Sequence, residues 1–148
     1  MIKKILLATD GSANSRKALA FAVEMASRYD AELHVLHVIQ NIEVPLEVLE
    51  YISAEEIEDS PASFYLEKIG KKIIKQSENE CKITGCENVH TIVLRGDPAD
   101  MIIEVAKDKK MDLIVVGSRG LRGIKGRLLG SVSRKVSHAS EVSCLIVK

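Results

Sequence analysis

Tryptophan is absent, and aromatic residues make up only 3 % of the 148 positions. Stacking surfaces for exposed bases are therefore scarce, and no nucleic-acid recognition motif is present. Net charge is lacking too: 21 basic residues balance 21 acidic ones. A chain of zero formal charge offers no bulk attraction for nucleic acid or an anionic membrane. Cysteine is sparse and odd in number: Cys81, Cys86 and Cys144. Four residues separate Cys81 from Cys86, so there is no C-x-x-C redox or zinc motif and no disulfide framework. Reduced thiols are expected, with Cys144 buried in a strand. Long apolar runs are missing as well. The opening run, Ile5-Leu6-Leu7-Ala8, reaches Asp10 at once. It is too short for a signal-peptide core or a membrane span, so a soluble cytoplasmic protein is the expectation.

What is present alternates between short apolar runs and helical stretches. Ile5 to Ala8 reads as a buried strand. Ser12 or Asp10 is placed to cap a helix with Ala18, Leu19, Ala22, Val23 and Ala26 on one face. Leu33 to Ile39 is a second strand, containing His34 and His37. Ser60-Pro61 offers a cap and a first-turn proline, and Ser63 to about Lys82 reads as a helix that Gly85 helps to end, with Phe64, Ile69, Ile73 and Ile74 among its apolar positions. Val89 to Leu94 is a third strand, opened by His90. Asp97-Pro98-Ala99-Asp100 then combines a cap, a first-turn proline and a dipole-compatible acid, with Ala99, Ile102, Ile103 and Ala106 at helical spacing. Leu113 to Val116 is a uniformly apolar fourth strand. A last helix has Leu128, Leu129, Val132, Val136 and Ala139 on one face, and a last strand spans Val142 to Val147.

The order is β-α-β-α-β-α-β-α-β. Strands apolar on both faces and separated by helices imply an α/β fold with a mainly parallel sheet covered on both sides. The length suits one domain over residues 1–148, and no internal repeat is evident. In such sheets ligands sit beyond the carboxyl ends of the strands. The loops after Ala8, Ile39 and Val116 are the places to look. The stretch 41–60 carries seven acidic residues and no basic one. It reads as a surface excursion, either solvated or facing a protein partner.

Five of the nine glycines fall in one connection: Gly117, Gly120, Gly123, Gly126 and Gly130. They follow a strand and lead into a helix. Glycine permits close approach of backbone to a ligand, and free N–H groups at a helix start favour an anion. Ser131 and Ser133 add hydroxyls there. From Leu113 to Ser140 no acidic residue occurs, whereas Arg119, Arg122, Lys125, Arg127, Arg134 and Lys135 do. A polyphosphate suits this concentration of positive charge; the plain alternative is a glycine-rich connection with solvated cations. No G-x-x-x-x-G-K-[ST] occurs, which excludes a Walker loop. The first strand is followed by Asp10-Gly11-Ser12 in place of G-x-G-x-x-G, which argues against a dinucleotide site.

These residues resemble a known family. Gly117-x2-Gly120-x9-Gly130-Ser131 has the spacing of the ATP-binding signature of universal stress proteins. Ala8-Thr9-Asp10-Gly11-Ser12, Val115-Val116-Gly117-Ser118-Arg119-Gly120 and Val142-Ser143-Cys144-Leu145-Ile146-Val147 are similar too, and the likeness covers essentially the whole chain. It implies a five-stranded parallel sheet in the order 3-2-1-4-5 with helices on both faces. It implies adenine near Ala8, Thr9 and Val38. Gly117, Ser118, Arg119 and Gly120 would hold the phosphates from one side, and Gly130, Ser131, Val132 and Ser133 from the other. Asp10 would lie near the ribose and phosphates, either as a turn residue or as a carboxylate meeting Mg²⁺ or Mn²⁺. Some relatives lack the glycines and bind no ATP; this chain retains them.

The resemblance also implies a homodimer through the last strand, 142–147, whose apolar edge would otherwise be open. Three functions follow: a nucleotide-dependent switch or sensor in a stress response, a slow ATPase, or an interaction protein with a vestigial pocket. No Ser/His/Asp set has local support, and His34, His37, His90 and His138 are given no catalytic role.

Overall fold

The computed structural model describes residues 1–40, 61–121 and 129–148. The excursion 41–60, Ser60 as a cap, and Arg122, Gly123, Lys125, Gly126, Arg127 and Leu128 lie outside them. The strands are β1 (Lys4–Ala8), β2 (Glu32–Ile39), β3 (Val89–Arg95), β4 (Leu113–Gly117) and β5 (Ser143–Val147). The helices are α1 (Ala13–Tyr29), α2 (Pro61–Ile83), α3 (Pro98–Asp108) and α4 (Ser131–Ala139). The sheet is wholly parallel, in the order β3-β2-β1-β4-β5. Type and order of every element agree with expectation; the boundaries move by one or two residues, and by more at the start of the last helix. Helix α4 begins only at Ser131, so Leu129 precedes it.

Alternation along the strands explains why the central strands β1 and β4 are apolar on both faces. Ile5, Leu7, Leu33, Val35 and Val115 bury against Ala18, Leu19, Ala22 and Ala26 of α1 and Ile74 and Cys81 of α2. Leu6, Leu36, Ile114 and Val116 bury on the opposite face against Ala99, Ile102 and Ala106 of α3 and Val136 of α4. Successive side chains point to opposite faces, so a strand covered on both sides has no polar position to spare. At about 25 cal/mol per Å² of apolar surface, each such Leu or Ile stabilises by about 1.5–3 kcal/mol.

Local signals end the elements where the sequence suggested. Ser12 caps α1 by accepting a hydrogen bond from Ser15 N at 3.2 Å. This frees Asp10, the other candidate, for a different task. Asp97 caps α3 by accepting from Asp100 N at 3.0 Å, with Pro98 in the first turn. Cys81 and Cys86 are buried free thiols, and burial pushes Cys81 up to about 12. Cys144 is only half-buried, a departure from expectation, because β5 lies at the sheet edge and has one neighbour. No helix among the described residues is long and apolar enough to cross a membrane.

The chain leaves β1 towards β2 and β3, then returns to β4 and β5 on the other side. The strand order therefore reverses between β1 and β4, and their carboxyl ends open a crevice.

Candidate functional site

The crevice is an open cleft of ≈ 770 Å³, within the range of about 300–1,000 Å³ typical of small-molecule sites. Ala8, Thr9, Asp10, Val38, Gly117, Arg119, Gly120, Gly130, Ser131, Val132 and Ser133 all line it. Ser118 does not: it is 1 % exposed and stands behind the wall. Its carbonyl accepts from Gly130 N at 2.7 Å and from Ser133 Oγ at 3.0 Å. Asn14 Nδ2 donates to its Oγ at 3.3 Å. Ser118 thus joins the loop after β4 to the starts of α4 and α1.

The three signature glycines have three different neighbours. A Cβ on Gly117 would meet the backbone carbon of Asn14 at 2.9 Å, so this glycine lets β4 approach α1. A Cβ on Gly120 would lie 2.5 Å from Asp10 Oδ2. A Cβ on Gly130 would find only ordinary contacts, the nearest being Ser118 O at 3.4 Å. Gly130 is the N-cap of α4 and supplies no side-chain hydrogen bond. The first N–H groups of a helix have no intrahelical partner, and here they border the cleft.

Asp10 holds the loop from the opposite side. Oδ1 accepts from Ser12 N at 3.0 Å and Oδ2 from Leu121 N at 2.8 Å. Burial alone would push this carboxyl up, but the hydrogen bonds from Ser12, Leu121 and Ser15 outweigh it and hold it below the ordinary 3.8. The cleft therefore contains an ionised carboxylate.

One end of the cleft is apolar. Ala8, Leu36 and Val38 form its floor, and Leu66, Ile69 and Ile73 of α2 form a wall. Ile69, an apolar position of α2, is 52 % exposed, at the cleft. His37 was also given no part in the site. It lines the cleft, and its Nδ1–H donates to Thr9 O at 2.9 Å, tying β2 to the end of β1. Only its place in the strand after β1 hinted at this, through the rule that ligands sit at strand ends.

The positive charge divides on inspection. Arg119 is exposed and lines the cleft. Lys135 is engaged elsewhere: Nζ lies 3.2 Å from Asp97 Oδ1 and 2.7 Å from Asp100 Oδ1. It links α4 to α3 and is removed from the set of free cations. A convergence of an apolar slot, an open helix start and a cation can hold a flat apolar group joined to an anion.

Comparison with known proteins agrees with this architecture. A profile of the universal stress protein family matches residues 1–148. The chain is 40 % identical to universal stress protein YxiE of Bacillus subtilis, with all of both chains covered. Universal stress protein UspA from Lactobacillus plantarum shares the fold, with a TM-score of 0.84 at 23 % identity over 99 % of this chain and 98 % of that one. A universal stress protein crystallised in complex with cAMP has a TM-score of 0.71 at 28 % identity, over 99 % and 97 % of the two chains. The full-length match and the 40 % identity make the chain a member of the universal stress protein family.

Proposed function

We propose that the cleft binds an adenine nucleotide, with ATP as the ligand that uses all of it, and that the bound state acts as a switch or sensor in a stress response. The observation that carries this reading is the pairing, in one cleft, of the apolar slot with the uncapped start of α4. Adenine fits between Val38 and Ala8 on the floor and Ile69 and Ile73 on the wall. Phosphates would accept from N–H groups at Ser131 and Val132, from the hydroxyls of Ser131 and Ser133, and from Arg119. The relative in complex with cAMP supports an adenine-bearing ligand.

A carboxylate beside phosphates needs a cation between them. Asp10 would offer protein oxygen to Mg²⁺ or Mn²⁺, with phosphates and waters completing the shell. Turnover is disfavoured because the carboxylates lining the cleft among the described residues, Asp10 and Asp97, are already hydrogen-bonded. Asp10 accepts from Ser12 and Leu121, and Asp97 from Asp100 N and Lys135. Residues 1–148 are read as one domain. Among the described residues β5 has β4 as its one neighbour, which supports pairing of that edge with a second copy.

The test is nucleotide content and calorimetric titration. Protein purified without added nucleotide is expected to release near-stoichiometric ATP on denaturation, or to take up Mg-ATP when empty. Gly120→Val, whose side chain would collide with Asp10, should abolish uptake. Mostly ADP in the released pool would favour a slow ATPase. An empty wild-type protein that fails to take up Mg-ATP would leave the interaction-protein reading.

A further inference from the structure

A second cluster stands at the opposite end of the sheet. Glu32 opens β2, His34 follows two residues later, and His90 is its register partner on β3. Residues two apart on a strand share a face, so Glu32 and His34 point the same way as Leu36, towards the α3 side. The cleft lies at the carboxyl ends of these strands, roughly 15 Å away along β2.

The three side chains converge. Glu32 Oε2 is 3.3 Å from His34 Nε2. The imidazoles of His34 and His90 lie 4.7 Å apart, centre to centre. One ligating atom from each of Glu32, His34 and His90 lies within 4.8 Å of the others. Tetrahedral ligands at bonds of about 2.0–2.1 Å sit about 3.3 Å from one another. The Glu32–His34 spacing already has that value, and exposed His90 is free to close the rest by rotation.

His34 turns Nε2, not Nδ1, towards Glu32. It is 8 % exposed, and its Nδ1 is the one buried side-chain nitrogen or oxygen without a hydrogen-bond partner among the described residues. Buried histidines ordinarily satisfy both ring nitrogens.

We propose that Glu32, His34 and His90 form a site for a late first-row divalent metal, Zn²⁺ above all, with water in the remaining position. Two imidazoles and one carboxylate suit Zn²⁺, Ni²⁺ or Cu²⁺ and disfavour Mg²⁺, which demands oxygen. Binding at His34 Nε2 displaces its contact with Glu32, and the neutral ring's one proton then sits on Nδ1. Binding also displaces Lys4, whose Nζ is 4.0 Å from Glu32 Oε2. The buried thiols compete poorly, because burial keeps Cys81 and Cys86 protonated.

The test titrates the nucleotide-free full chain with Zn²⁺ against a chromophoric chelator, with Mg²⁺ as control. One Zn²⁺ per chain is expected, and no Mg²⁺. His90→Ala, at an exposed position, and Glu32→Gln should each weaken Zn²⁺ by at least about tenfold. Paramagnetic resonance of the Cu²⁺-loaded protein should carry couplings from two imidazole nitrogens, one of which disappears in His90→Ala. ATP uptake should be unchanged in that variant, which separates this site from the cleft. Absence of Zn²⁺ uptake by the wild type, or uptake unaltered in both variants, would overturn the assignment.

Discussion

Two helices, α3 and α4, start side by side at the carboxyl end of the sheet, and they start in opposite ways. Helix α3 is closed on itself. Asp97 accepts from Asp100 N, Pro98 removes one orphan donor, Asp100 lies in the first turn, and Lys135 neutralises both acids. Helix α4 has Gly130 as its cap, no side-chain cap bond and no acid in its first turn. A helix start needs an acceptor for its free N–H groups. Where the chain supplies that acceptor, the end is structural; where it supplies glycine and serines beside a cleft, the proposed phosphate would be the acceptor. The difference assigns roles to two ends that share one pocket wall.

The sharpest way to break the contrast is to make α4 resemble α3. Gly130→Asp introduces a carboxylate where a Cβ meets only ordinary contacts and φ is −72°. The fold should tolerate it, with a stability change of a few tenths of a kcal/mol. Nucleotide affinity should fall about a hundredfold, the equivalent of losing roughly 3 kcal/mol of charge-assisted bonding. Calorimetric titration and a thermal melt of the same sample would check both halves. Retained affinity would show that phosphate does not use this helix start.

The reverse change opens α3. Asp97→Ala removes a cap and should cost about 1 kcal/mol, a fall in Tm of about 2–4 °C, while nucleotide affinity changes little. The effect carries a pH signature. The N–H of Asp100 and then Lys135, against slight burial, hold the Asp97 carboxyl below the ordinary 3.8. A carboxyl lowered on folding contributes stability above its unfolded pKa and loses it as pH falls through the folded value. The Tm gap between wild type and Asp97→Ala should therefore be full at neutral pH and close below 3.8. A gap that persisted in acid would mean that the loss is packing and not the ionised cap.

Lys135→Ala should have the smallest effect. Its ammonium is committed to Asp97 and Asp100, so ATP affinity should stay within about twofold, and the melt should shift less than for Asp97→Ala, since exposed ion pairs are weak. A large loss of affinity would return Lys135 to the phosphate site and weaken the contrast.

Much of this was legible before any coordinates. Asp97 and Pro98 announce a helix start by local chemistry, and Ser12 does so almost as well; capping depends on residues three apart. The uniform apolarity of Leu113 to Val116 announced a strand covered on both faces. Gly117, Gly120 and Gly130 announced a special backbone, but not its reasons. Gly117 faces Asn14 on α1, and Gly120 faces Asp10 across more than a hundred residues of sequence. Lys135 looked like one cation among six until α3 took it. No motif in the sequence marked His37 or Ile69 as cleft residues, and both line it.

The sequence by itself determined the succession of strands and helices, the parallel two-faced sheet and the position of the cleft-forming loops. Each of these follows from periodicity, caps and turn residues acting over a few positions. Only the tertiary structure decided which charges remain free, which glycine serves packing and which borders the ligand space, and that Glu32, His34 and His90 meet. Those outcomes rest on distances between residues far apart in the chain. Such distances exist only after the sheet has set its register and the helices have closed over both of its faces.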